Sequence, residues 1–372
     1  MKKIFTSVLL VLVMVISVVA AGCSSKESSS QKDSKETSPA KESVKVGMVT
    51  DSGTIDDKSF NQGTWEGILK YKNEKKTIEE KYLQPSGEQH TDYVNAVNDL
   101  VDSGYKIIVT PGFKFETAIN EAASNHKDTT FILIDGMTHK GDFKFVKHDN
   151  VVSVFFKENE SAFLAGVAAA LSTNTGKLGF IGGMEIPPVQ RFGWGYQAGV
   201  KYANEKFGTK AEIVDYLYQG SFNDTAAGQT LAAGMYNKGV DIIFHAAGSV
   251  GIGVFNEAKQ RAEKGQKVYV IGVDVDQFET GKISSGKSVT LTSAMKRIDV
   301  AAYDYIDAKL KGKFPGGEII TLSLAENGVG LPENNPNLSE DTIKKIAEVK
   351  KEILEKKITV PSTKEELAAF KK

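Results

Sequence analysis

Val44-Lys45-Val46-Gly47-Met48-Val49-Thr50, followed by Asp51-Ser52-Gly53-Thr54-Ile55-Asp56-Asp57-Lys58-Ser59-Phe60-Asn61-Gln62, is the stretch of sequence that decides the fold. The first part is a short apolar, β-branched run that reads as a strand. The second is rich in Asp, Ser and Gly and reads as a loop. Beyond it, Trp65, Ile68 and Leu69 recur at the spacing of a core-facing helix. In an open parallel α/β sheet, ligands bind beyond the carboxyl ends of the strands, where a helix N-terminus supplies free backbone donors. This loop brings a carboxylate, an aromatic ring and an amide to that place.

Outward from this unit the same alternation continues. Apolar runs at Ile107 to Thr110, Phe131 to Ile134, Val151 to Phe155, Leu178 to Ile181, Ala211 to Tyr216, Asp241 to Phe244 and Val268 to Val273 alternate with helical patterns. Examples of the latter are Tyr93, Val94, Val97 and Val101, and Phe163, Leu164, Val167 and Leu171. Alternation of this kind gives parallel sheets covered on both faces, and the strands are too many for one sheet. Two lobes of one architecture are therefore expected, with Phe155-Phe156-Lys157-Glu158-Asn159-Glu160 as a passage between them. Beyond Asp274 the chain is expected to return: a strand at Val289 to Thr292, a helix from Ala294 to Leu310, a strand at Gly317 to Leu322 and a terminal helix from Leu338 to Lys357. The expected division is 44–154 with 276–314 for the first lobe and 155–275 with 315–372 for the second.

Upstream, Lys2 and Lys3 precede an apolar run from Val8 to Val19 that closes on Ala20-Ala21-Gly22-Cys23. The run is shorter than the ~20 residues of a comfortable membrane span, so 1–22 reads as a secretion signal. It resembles a bacterial lipobox, which implies that Cys23, the single cysteine of the chain, becomes the lipid-bearing first residue of the mature protein, a palmitate carrier. No second cysteine exists to pair with it. Two or more acyl chains hold a protein stably at a membrane, which places the domain on the outer face of the bacterial cell membrane. The segment 23–43 is almost free of apolar residues and reads as a flexible stalk. With 46 basic against 47 acidic residues and no basic stripe, no nucleic-acid partner is expected. The acids of 51–57 lack the alternation of a calcium loop, so no metal and no cofactor are expected either.

Several motifs together resemble the basic membrane protein family, the lipoprotein substrate-binding components of nucleoside ABC importers. They are the 51–62 loop, Phe156-Lys157-Glu158 with Phe163-Leu164-Ala165-Gly166, Gly182-Gly183-Met184-Glu185-Ile186-Pro187, Ala246-Ala247-Gly248, Gly272-Val273-Asp274 and Ser293-Ala294-Met295-Lys296. The resemblance covers essentially the whole mature chain. It implies the type I periplasmic-binding-protein fold, two Rossmann-like lobes with parallel sheets joined by three crossing segments. It also implies a monomer that binds a purine nucleoside (guanosine, inosine or adenosine) and presents it to an ABC permease with a cytoplasmic ATPase. No enzymatic activity is implied.

Each candidate site residue has a plainer reading beside its functional one. Phe60 either staples its own helix or, as the resemblance implies, stacks on the purine, with Asn61 beside it. Asp51 and Asp135 stand at strand ends of the first lobe, as turn formers or as acceptors for purine N–H groups. The resemblance places Asp274 and Lys296 at the ribose hydroxyls; a salt bridge between lobes is the alternative. It also implies an aromatic group of the second lobe opposite Phe60, Phe244 or His245. Gly248 either lets backbone approach the sugar or simply starts a helix. Gly281 to Ser288 matches a phosphate-loop pattern but precedes a strand where a helix is required. Ser249 imitates a nucleophile elbow whose first glycine is missing. The rival functions are a sugar receptor of the same fold, a surface adhesin or antigen that has lost transport, and a hydrolase acting through Ser249.

Overall fold

Strands that read as unbroken apolar runs do so because both their faces are covered; all five residues of Thr130–Ile134 are buried, as are all five of Ile242–Ala246. The computed structural model describes residues 43–370, so the signal segment, Cys23 and nearly all of the stalk lie outside the described residues. In chain order the elements are β1 (Val44–Val49), α1 (Phe60–Lys75), β2 (Ile78–Leu83), α2 (His90–Asp102), β3 (Ile107–Pro111), α3 (Glu116–Asn125), β4 (Thr130–Ile134) and β5 (Val151–Phe156). Then follow α4 (Glu158–Ser172), β6 (Lys177–Gly182), α5 (Pro187–Phe207), β7 (Glu212–Tyr218), α6 (Thr225–Asn237), β8 (Ile242–Ala246), α7 (Ser249–Glu263) and β9 (Tyr269–Asp274). The chain ends with β10 (Thr290–Lys296), α8 (Ile298–Leu310), β11 (Ile319–Leu322), β12 (Val329–Gly330), α9 (Glu340–Leu354) and α10 (Lys364–Ala369).

Two six-stranded sheets result, in the orders β11-β5-β4-β3-β1-β2 and β12-β10-β9-β8-β6-β7. Every pairing is parallel except β10 with β12. Apart from the last strand on one edge, the two lobes repeat one topology. The chain crosses between them three times: from β5 to α4, from β10 to α8 and from β11 to β12. This is the expected α/β architecture of two Rossmann-like lobes.

The expected lobe boundaries need correction. Residues 290–296 are not part of the first lobe: β10 pairs with β9 in the second sheet, and only then does the chain cross back to place α8 against α1. Likewise β11 pairs with β5 in the first sheet, so 315–322 does not belong to the second lobe. Order along the chain does not reveal which sheet a returning strand joins. The helix expected from Ala294 starts at Ile298, because Ala294 to Lys296 continue the β10 ladder; Lys296 is a strand-end residue.

Candidate functional site

The carboxyl ends of the two sheets face each other across a cavity of about 630 Å³, mouth included. From the first lobe it is lined by Asp51, Gly53, Asp57, Phe60, Asn61, Gly112, Phe113 and Asp135, and from the second by residues that include Phe192, Phe222, Gly248, Asp274 and Lys296.

The loop after β1 is built by its own acids. Asp57 is buried and accepts from the backbone N–H groups of Ser59 (2.9 Å), Asn61 (2.9 Å) and Gln62 (3.1 Å), so it satisfies the free donors that open α1. Asn61 Nδ2 donates to Asp57 Oδ2 (3.0 Å) and Asp51 Oδ1 (2.8 Å), while Asn61 Oδ1 accepts from the Asp51 N–H (3.1 Å). The Asn61 carboxamide is thereby committed to holding Asp51 in place. Burial pushes Asp51 and Asp57 above the ordinary carboxylate range. Phe60, on the first turn of α1, is half-buried and presents its ring to the cavity.

The two strand-end acids are matched. Asp135 follows β4 with φ +56°, and Asp274 ends β9 with φ +64°, both in the left-handed region that costs a non-glycine residue energy and recurs at binding sites. Asp135 Oδ2 pairs with Lys296, an ion pair that runs between the lobes. Asp135 Oδ1 is buried with no hydrogen-bond partner among the described residues. Such an acceptor costs free energy unless a ligand donor meets it. Asp274 Oδ2 accepts from Ser59 Oγ (2.5 Å), again across the lobes, and burial pushes its carboxyl up to about 6, with Lys296 opposing the rise.

Lys296 is the cation of the cavity. Burial alone would lower it, but Asp135, Glu158 and Asp274 outweigh burial and hold it charged, above the ordinary lysine range. Its ammonium stands 4.8 Å from the Phe60 ring centre and 5.6 Å from those of Phe156 and Phe192. Glu158, wholly buried at the start of α4, is shared between Lys296 (3.5 Å) and Arg191 (2.6 Å).

Seven of the nine expected ligand residues line this cavity: Asp51, Phe60, Asn61, Asp135, Gly248, Asp274 and Lys296. Phe244 and His245 do not, and the expected aromatic opposite Phe60 is neither of them. Phe244 is mid-strand in β8, and its ring is packed between those of Phe180, Phe192 and Tyr196. His245 is sealed beneath the second lobe, against Phe255 and Gln277. Gly248 has φ +55°, and a Cβ there would lie 3.1 Å from the Phe222 carbonyl oxygen, so the glycine is needed for its own backbone and for the neighbouring loop.

Phe222, missed from sequence, brings a ring into the cavity from the second lobe. A signal was present: Ser221-Phe222-Asn223 repeats the tripeptide Ser59-Phe60-Asn61, the first copy opening α1 and the second standing in the loop between β7 and α6. Gly281 to Ser288 is a surface turn closed by a bridge between Lys282 and Ser288. Among the described residues no group of His, Cys, Asp and Glu could hold a metal ion, and no helix is long and apolar enough to cross a membrane.

Comparison with known proteins agrees with this geometry. The Bmp family model, described as ABC transporter substrate-binding protein PnrA-like, matches residues 44–364. The chain belongs to the Bmp family. It is 40% identical to the CD4+ T-cell-stimulating antigen of Listeria innocua, over 97% of this chain and 99% of that one. It is 39% identical to the ABC transporter nucleoside-binding protein BmpA of Lactococcus lactis, over 92% and 95%. Basic membrane protein A of Borreliella burgdorferi is 35% identical over 98% of both chains. A solute-binding protein of an Aeropyrum pernix ABC transporter system superposes with a TM-score of 0.74 at 28% identity, over 88% of this chain and 98% of that one. As an ABC substrate-binding protein of this family, the chain works outside the cytoplasm and passes a small ligand to a permease driven by an ATPase. The fold is the periplasmic-binding type that the sequence implies.

Proposed function

We propose that the cavity takes a purine nucleoside and that the lobes close on it, the protein being tethered to the membrane through a lipid on Cys23. The observation that carries the ligand reading is the pairing of aromatic and acidic groups from both sides: Phe60 and Phe222 from opposite lobes, with Asp135 and Asp274 at the strand ends. A flat heterocycle fits between two rings, and stacking on one aromatic side chain is worth about 1–3 kcal/mol. Asp51 and the unpartnered Asp135 Oδ1 are acceptors suited to ring and exocyclic N–H groups, and Asp274 with Lys296 suits a diol. Contacts from both lobes favour the shut state, which is how such receptors respond to ligand. The Lactococcus lactis relative, named as nucleoside-binding, supports the same ligand class.

Calorimetry on the full chain in detergent tests this against guanosine, inosine, adenosine, the corresponding bases and ribose. Nucleosides should bind and ribose alone should not, since a site that pairs with both halves loses most of its affinity when one is absent. Binding of ribose with no response to any nucleoside would replace this reading with a sugar receptor. Mass analysis of the membrane-extracted protein tests the anchor: an acylated Cys23 at the N-terminus is expected, and an unmodified one refutes it.

A further inference from the structure

Gln277 does not line the cavity, yet it is 2% exposed and every polar atom of its side chain is engaged. Its Oε1 accepts from the Val273 N–H (2.9 Å), the residue before Asp274, and so fixes the strand end on which Asp274 turns into the left-handed region. Its Nε2 donates across the cleft to the Lys58 carbonyl oxygen (2.7 Å). Lys58 itself has φ +60°, a conformation a lysine adopts only when held. The next residue, Ser59, donates to Asp274, and the one after that is Phe60. A Cβ on Gly272 would come within 2.6 Å of Gln277 Oε1, and one on Gly251 within 2.1 Å of the His245 ring, so both neighbours are cleared for this arrangement.

His245 supplies the direction. Because Gln277 Oε1 already accepts from Val273, the contact with His245 Nε2 (3.0 Å) requires that nitrogen to carry the proton. Burial keeps the imidazole neutral, lowering it to about 4 against the raising effect of Gln277, and Nδ1 is left as a buried nitrogen without a partner among the described residues. The chain His245 to Gln277 to the Lys58 carbonyl therefore runs one way, from the core of the second lobe to the ligand loop of the first.

We propose that Gln277 is a positioning residue that latches the closed lobes, seating Asp274 on one side and the Lys58-Ser59-Phe60 segment on the other. It sets how long a ligand stays without touching it. The proposal takes from the nucleoside reading only the probe for its test.

Gln277→Glu keeps an acceptor for Val273 and His245, and in its ionised form it cannot donate to Lys58. Stopped-flow measurement with guanosine on the full chain in detergent should show dissociation about tenfold faster or more, the scale of one buried hydrogen bond lost, with association unchanged within about twofold. Amide exchange in 52–62 should rise while that of β9 does not. Unchanged dissociation, or association and β9 protection failing together with it, overturns the latch. If Gln277→Glu does not fold, Gln277→Ala decides on dissociation, association and exchange in 52–62 alone, since it also removes the acceptor for the Val273 N–H and so changes β9. If the wild type binds no nucleoside, that reading fails separately, and exchange of 52–62 in the variant against wild type decides the latch.

Discussion

Replacing Asp274 by asparagine changes the pH dependence of stability in a direction that the structure sets. Burial raises this carboxyl to about 6 from an ordinary 3.8, so the folded chain holds the proton more tightly than the unfolded chain between those values. The unfolded state therefore binds fewer protons in that window, and stability falls as pH rises through it. At ~1.4 kcal/mol per pH unit the gap amounts to about 3 kcal/mol, fully developed above pH ~6 and absent below pH ~4. The carboxamide introduced by Asp274→Asn keeps the shape and an acceptor for Ser59 Oγ but carries no charge to desolvate. Urea unfolding of both proteins from pH 4 to 7.5 isolates the difference, since Asp51, Asp57 and Asp135 titrate in both. The variant should gain about 3 kcal/mol on wild type between pH 4 and 7. Curves that stay parallel across this range would refute the burial argument for Asp274.

Phe60→Ala and Phe222→Ala should each weaken guanosine binding by roughly 5- to 150-fold, from ~1–3 kcal/mol of stacking, with the melting temperature nearly unchanged because both rings are half-exposed to the cavity. Calorimetry checks the affinity and scanning calorimetry the melting. Gly67→Ala should destabilise by about 1–3 kcal/mol in urea, since a Cβ would lie 2.3 Å from the Asp299 carbonyl oxygen where α1 crosses α8. Nucleoside affinity measured below the unfolding transition should change little, because Gly67 lies outside the cavity lining.

What could be read from the sequence depended on how each residue is solvated. The first strand and Phe131 to Ile134 are covered on both faces, so their apolar runs were unmistakable. β2, Ile78-Glu79-Glu80-Lys81-Tyr82-Leu83, is an edge strand whose charged, half-exposed residues gave no strand signal. Asp51, Asp135 and Asp274 were legible as site residues because in a parallel sheet only strand tips reach the crevice, and each follows or ends an apolar run. The same rule explains the failure with Phe244: it stands one turn of the pleat short of the tip, so its ring enters the helix layer, and Ala246 and Ala247 line the cavity instead. The cross-lobe contact of Gln277 had no local pattern to announce it, and for Lys296 a salt bridge between lobes was legible as an alternative but not its partner Asp135, since the partners lie more than 160 residues away in sequence.

The most direct measurement is a crystal structure of the chain grown with inosine. The account predicts a purine ring between Phe60 and Phe222, a donor of the base on Asp135 Oδ1, and the ribose hydroxyls at Asp274 and Lys296. A ligand bound elsewhere, or a closed cavity in which the Phe60 ring has turned into its own lobe, would contradict it.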